Sequence, residues 1–299
     1  MLRTERFKKA DRVITIGFWA NALLMTMKLA AGHFGRSGAV FADGMESACD
    51  FVAIGLTIVA LKVGRKPFDE DHPYGHGKVE SLSAILVSLV IGATGAWVLY
   101  GAVTTVAREN YQTPALVAVL AAATTIVVKE WLYRYSIGVG GVLGSPALLA
   151  IAKDHRKDAV TSIATLVGVA GAYFGFGIMD PIAAGLTSFF IFHIGYQTFR
   201  SSAHELMDGQ PEQELLDAIS RLAETVEGVD AVHEIRARHS GQYLIVDLKL
   251  DMHPEMTVKR SHDIATEVKK RIFEHFNNVG DVMIHINPSH EEHEDLNRL

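Results

Sequence analysis

The chain has 299 residues, 49% of them hydrophobic, and a mean hydropathy of +0.19, which is too apolar for an ordinary soluble domain. A net charge of −6 with no basic stripe and interleaved aromatics excludes a nucleic-acid footprint; the single cysteine, Cys49, excludes an internal disulfide. Apolar runs crowd residues 13–200, while 204–299 are charged and alternate as soluble domains do, so two domains are expected, 1–208 in a membrane and 209–299 outside it.

The basic start "MLRTERFKKADR" leads into a full-length apolar span without a small-residue cleavage signal, and reads as a retained first helix. A bilayer core of about 30 Å takes roughly 20 helical residues. Six segments qualify: 13–34, 39–62, 81–105, 114–136, 147–174 and 178–200. Their many Gly, Ser and Ala residues suit close helix contact in lipid. Arg3, Arg6, Lys8, Lys9 and Arg12 precede span 1, Lys62, Arg65, Lys66 and Lys78 separate spans 2 and 3, and Arg134 follows span 4. The opposite loops hold only Arg36 and Arg108, so positive-inside puts both termini in the cytoplasm.

After "HELMDGQPEQ" the pattern changes. "PEQELLDAISRLAETVEG" predicts an amphipathic helix, and "VHEIRARHSGQYLIVDLKLDM" two strands around a Ser-Gly turn. "TVKRSHDIATEVKKRIFEHF" predicts a second helix and "DVMIHINP" a third strand. The order αββαβ makes a small two-layer domain. "PSHEEHEDLNRL" reads as a frayed polar tail.

The chemistry lies in "VFADGMESACDF". Glu46 and Asp50 are spaced i,i+4 on one helix face, with Asp43 in reach of that face. Span 5 repeats the spacing in "AKDHRKDAVTS" with Asp154 and Asp158. Counting 1.5 Å per residue, Glu46 and Asp50 lie roughly 10 and 16 Å below the outer surface. Asp154 and Asp158 lie roughly 12 and 18 Å above the inner one, so four carboxylates converge near mid-membrane. Isolated anions there cost at least a few kcal/mol each and usually mark an ion path. Lysine or arginine partners at that level look few, which favours a bound divalent metal. The bland alternatives are that "AKDHRKD" is a cytoplasmic loop with Asp158 capping the next helix, that Asp43 is a helix cap, and that Cys49 is a packing residue. A second cluster, Asp69, His72 and His76 in "KPFDEDHPYGHGKVES", has short metal-ligand spacings, with glycines that let the backbone bend; its alternative is a solvated polar loop.

Together these residues resemble the cation diffusion facilitator family of divalent-metal/proton antiporters. The resemblance runs through "ADGMESACD", "HPYGHGKVE", "DHRKDAVTS", the "MDP" entering span 6, and "LMD" before the αββαβ tail. It implies a transporter rather than an enzyme, in the cell (inner) membrane. It implies a homodimer with six transmembrane helices per protomer and a metal-sensing cytoplasmic domain of ferredoxin-like, metallochaperone-like fold. No prosthetic group is implied, the metal being substrate and regulator. By position the transport site is Glu46, Asp50, Asp154 and Asp158, and the loop site is Asp69, His72 and His76. Lys78 and Asp208 match an ion pair tying the bundle to the cytoplasmic domain. His233, Asp247, His262 and His285 match regulatory ligands, with His239 nearby, and Asn287 stands where the family usually has an acid. Zinc-transporting members carry a His where Asp154 stands. An all-carboxylate site suits Mn²⁺ or Fe²⁺ better than Zn²⁺, and "HPYGHGKVE", "GSPALL" and "RARHSGQ" also look like the magnetosome-associated iron branch. Two other classes remain to be weighed: a membrane prenyltransferase holding Mg²⁺ on paired aspartates, and a metal-sensing scaffold that does not transport.

Overall fold

Six long helices come first in the computed structural model, which describes residues 3–289: α1 (Arg3–Phe34), α2 (Gly38–Gly64), α3 (Val79–Ala107), α4 (Leu116–Leu143), α5 (Pro146–Tyr173) and α6 (Met179–Leu206). Among the described residues, α1 to α4 are long and apolar enough to cross a bilayer, with mean hydropathy of 1.5 to 2.1 in their most apolar stretches. The other two are as long, but α5 carries the charged run Lys153 to Asp158 through its middle. The six helices coincide with the six expected spans. The first starts well before its apolar part, because Arg, Glu and Lys sustain a helix as well as most apolar residues do.

The turns follow from local chemistry. The Ser37 hydroxyl accepts from Val40 N at the start of α2, and the Asp180 carboxylate accepts from Gly38 N at 2.6 Å. Between α4 and α5 only Gly144 and Ser145 intervene. Gly144 takes the left-handed conformation (φ 58°) that ends a helix, Ser145 caps the next through Leu148 N, and Pro146 fills its first turn.

The chain forms two compact units, Met1–Gly55 with Leu86–Gln197, and Leu56–Ile85 with Thr198–Leu299. In the first, small residues let backbones approach. Ala31, Val40, Ala118, Ala121, Ala122 and Val169, from α1, α2, α4 and α5, form one buried cluster. A Cβ on Gly32 would lie 2.4 Å from Phe41 N, so α1 and α2 touch there only because Gly32 has no side chain.

The second unit holds α7 (Gln213–Glu224), β1 (Ala231–Ser240), β2 (Tyr243–Met252), α8 (Val258–His275) and β3 (Val279–Pro288), the expected αββαβ order. Gly241 (φ 62°) turns β1 into an antiparallel β2, and α8 carries the chain to β3, parallel to β2. Leu244, Val246, Leu248, Leu250 and Met252 alternate along β2 into a core with Leu216 and Ile219 of α7 and Ile264, Val268 and Ile272 of α8. The opposite sheet face carries Asp247, Lys249, Met283 and His285. The expected polar tail lies, from residue 290 on, outside the described residues.

Candidate metal centre

On α2, Glu46 is half-buried and Asp50 exposed, one turn apart; on α5, Asp154 is exposed and Asp158 half-buried, one turn apart. The charged run of α5 is helical throughout and Ser145 caps the helix, so the loop reading and the capping role for Asp158 both fall. Asp50 lies in the electrostatic field of Asp158, and Glu46 in that of Asp43, Asp50 and Asp158. Among the described residues, no three of these carboxylates bring oxygens within 4.8 Å of one another. Glu46, Asp50 and Asp158 share a region without forming a closed cage, and Asp154 lies one turn before Asp158 on α5.

Two buried lysines correct the expectation that cations are few at this level. Lys28 of α1, 2% exposed, donates to Asp43 Oδ1 at 2.8 Å, to Asp43 O at 3.0 Å and to Ser47 Oγ at 2.6 Å. Ser162 Oγ of α5 donates to Asp43 Oδ2 at 3.2 Å. Asp43 lies inside α2 and is therefore not a helix cap; its carboxylate meets Lys28 and Ser162. Lys129 of α4 reaches Asp158 Oδ2 at 2.6 Å. Its neighbour Glu130 pairs with Arg156 and, at 2.8 Å, with Arg134, which holds Arg156 along the α4–α5 seam. Cys49 is buried, as a packing residue is.

The loop before α3 brings its three predicted residues together, all ligand atoms within 4.8 Å of one another. Asp69 Oδ1 lies 3.0 Å from His72 Nδ1, and Asp69 Oδ2 lies 3.4 Å from His76 Nε2. Hydrogen bonding to His72 holds the exposed Asp69 carboxyl below its ordinary range. His76 Nδ1 faces Pro67 O at 3.2 Å; a proton donated there leaves Nε2 as the lone-pair nitrogen, the form that binds a metal. Gly75 takes φ 80°, and a Cβ on Gly77 would lie 2.3 Å from Ser240 O, so the loop reaches the β1–β2 turn through glycine. Nearby, Lys78 Nζ meets Asp208 Oδ1 at 2.5 Å and Arg238 Nη1 meets Oδ2 at 3.3 Å. The Lys78 hydrogen bond, then the charges of Lys78 and Arg238, hold the Asp208 carboxyl below its usual value.

In the C-terminal domain, Asp247 pairs in register with Arg236 and Met283, and His285 with Lys249, so Asp247 and His285 are diagonal neighbours on the open face. His233 falls in the β1 bulge and faces Asp251 at 3.6 Å, a partner that strand alternation did not predict. His262 lies exposed in the second turn of α8, in the helical layer. His239 pairs with Leu244 and so shares the helix-facing side, and Asn287 is buried beside Asp251. One chain does not gather these four residues.

Residues 14–207 match the cation efflux transmembrane domain and residues 211–289 the cytoplasmic domain of cation efflux proteins. The chain belongs to the cation efflux family. Among the relatives of this family member is the manganese efflux system protein MneP of Bacillus subtilis, 35% identical over 97% of this chain and 100% of that one. Another is the magnetosome protein MamB of Magnetospirillum gryphiswaldense, 33% identical over 93% of this chain and 94% of that one. A solved MamM-CTD structure covers 25% of this chain and 96% of its own at 26% identity, with a TM-score of 0.25. As a cation efflux protein the chain is a membrane transporter and not an enzyme, which removes the prenyltransferase alternative.

Proposed function

We propose that the chain is a homodimeric divalent-metal/proton antiporter that exports Mn²⁺ or Fe²⁺ in preference to Zn²⁺. Glu46, Asp50, Asp154 and Asp158 form its transport site, within a transmembrane domain of residues 1–208 whose termini face the cytoplasm. Asp69, His72 and His76 form a loop site, and the domain of residues 209–299 senses metal through His233, Asp247, His262 and His285 at the interface of two copies. The Lys78–Asp208 pair, which Arg238 of β1 joins, anchors the start of α3 and the end of α6 to the C-terminal domain.

The observation that carries the reading is the pairing of carboxylates one turn apart on α2 and again on α5, with the charge of Asp158 reaching both Glu46 and Asp50 across the two helices. Carboxylate oxygen suits Mn²⁺, whereas Zn²⁺ gains more from nitrogen and sulfur. The likeness to a manganese efflux protein supports the same choice. Four carboxylates and the Lys129 ammonium sum to −3 when all are ionised, so a divalent cargo or protons must neutralise them. Protons and metal then compete for the same oxygens, which couples outward metal to inward proton movement.

Flux into proteoliposomes under a pH gradient, with Mn²⁺, Fe²⁺ and Zn²⁺ side by side, tests the proposal. Zn²⁺ flux above that of both other ions would instead make the chain a zinc exporter. No flux of any ion from a well-inserted dimer would leave a sensing scaffold.

A further inference from the structure

Lys129 is 5% exposed and sits on α4 within an apolar stretch. Its single ammonium is held by Asp158 at 2.6 Å and also lies in the fields of Asp50 and His155. A buried ion pair is a poor device for stability alone, since desolvation consumes most of its attraction. The two helices it bridges also need no such staple. They are consecutive and joined by a two-residue turn, Gly140 lies against Leu148 and Leu149, and the Glu130–Arg156 pair crosses the same seam. What distinguishes Lys129 is its partner, one of the four carboxylates of the transport site.

Resting on that reading of the site, we infer that Lys129 is a tethered competitor for the cargo cation. Its ammonium occupies an Asp158 oxygen that a metal ion needs, so metal binding displaces it and its return helps expel the metal. The side chain suits the task. A lysine is a point charge on a flexible four-carbon stem, free to swing away and return, whereas an arginine would clamp both carboxylate oxygens. The competitor weakens binding and speeds release. A fixed structural cation would weaken binding through its charge alone, equally as lysine or arginine, whereas a competitor weakens it further when its hold on Asp158 is strengthened.

The test measures Mn²⁺ binding to the purified full chain in detergent, from the free-ion electron paramagnetic resonance signal. The signal of interest is the Mn²⁺ bound by wild type and lost in Asp158→Asn. Lys129→Gln is expected to bind that Mn²⁺ at least tenfold more tightly, and its flux in proteoliposomes to saturate at lower Mn²⁺ with a reduced maximal rate. Lys129→Arg is expected to shift affinity the other way, several-fold weaker, and it decides the matter alone if the Gln variant does not fold. Affinity unchanged or weakened in Lys129→Gln, or strengthened in Lys129→Arg, overturns the competitor while leaving the transport site intact. If Asp158→Asn loses no Mn²⁺, the transport-site reading fails first, and the competitor with it.

Discussion

Lys28 and Asp43 close on each other between α1 and α2 at 2.8 Å, both almost without solvent exposure. Removing either partner strands a charge in the bundle. Lys28→Met or Asp43→Asn alone should cost about 3–5 kcal/mol, while the double substitution should recover most of it. Thermal unfolding in detergent, run as a double-mutant cycle, checks this; additive losses would mean the two side chains do not depend on each other.

Asp50→Ala and Asp158→Ala should each reduce pH-driven Mn²⁺ flux to the leak of empty vesicles, with insertion and dimerisation retained. Flux near the wild-type rate in either variant would remove that residue from the transport site.

Asp154→His should move the preference toward Zn²⁺, because imidazole nitrogen replaces a hard carboxylate oxygen. A shift of ~1.4 kcal/mol in relative affinity is tenfold, so the Mn²⁺/Zn²⁺ flux ratio at fixed pH gradient reads it directly. An active variant with an unchanged ratio would show that Asp154, exposed on α5, touches no cargo.

The Lys78–Asp208 pair gives a pH prediction. The Asp208 carboxyl is held below its ordinary value, so the folded state binds its proton less readily than the unfolded chain. Its stabilisation is therefore present above about pH 4, the ordinary carboxylate value, and is lost as pH falls through the lower folded value. Both side chains are more than 40% exposed, so the contribution is at most about 1 kcal/mol. The stability difference between wild type and Asp208→Asn should be measurable at pH 7 and vanish in acid; a difference that grew on acidification would refute the assignment.

The domain from residue 209 has its own core and should dimerise, more tightly with Mn²⁺ or Zn²⁺ added. Asp247 and His285 are diagonal neighbours on the open sheet face and His233 stands off in the β1 bulge beside Asp251, so a metal held by the first two has room for ligands from a second copy. Sedimentation of the isolated domain with and without metal checks this, and His285→Ala should abolish the metal dependence.

Much of the architecture was legible because its signals are averages. Six apolar runs mark six helices, and the alternation from Leu244 to Met252 marks the central strand. The carboxylate pairs were legible for a related reason, since i,i+4 spacing is local. Lys28 and Lys129 were not, because one charge barely moves the hydropathy of a 20-residue window and their partners lie 15 and 29 residues away in the chain. Asp251 was missed for another reason. The bulge between Val232 and Glu234 breaks the period-two rule by which His233 would be placed.

Cys49 is the chain's one thiol, buried on α2 beside Asp50. Nature has thus supplied a spectroscopic foothold next to the proposed path with no competing thiol to mutate away. The rate at which a small water-borne alkylating reagent modifies Cys49 reports how often solvent visits this stretch of α2, and from which side of the vesicle wall it comes. Reagent confined to the lumen or to the bath would time the two half-cycles of access separately, in the unaltered polypeptide.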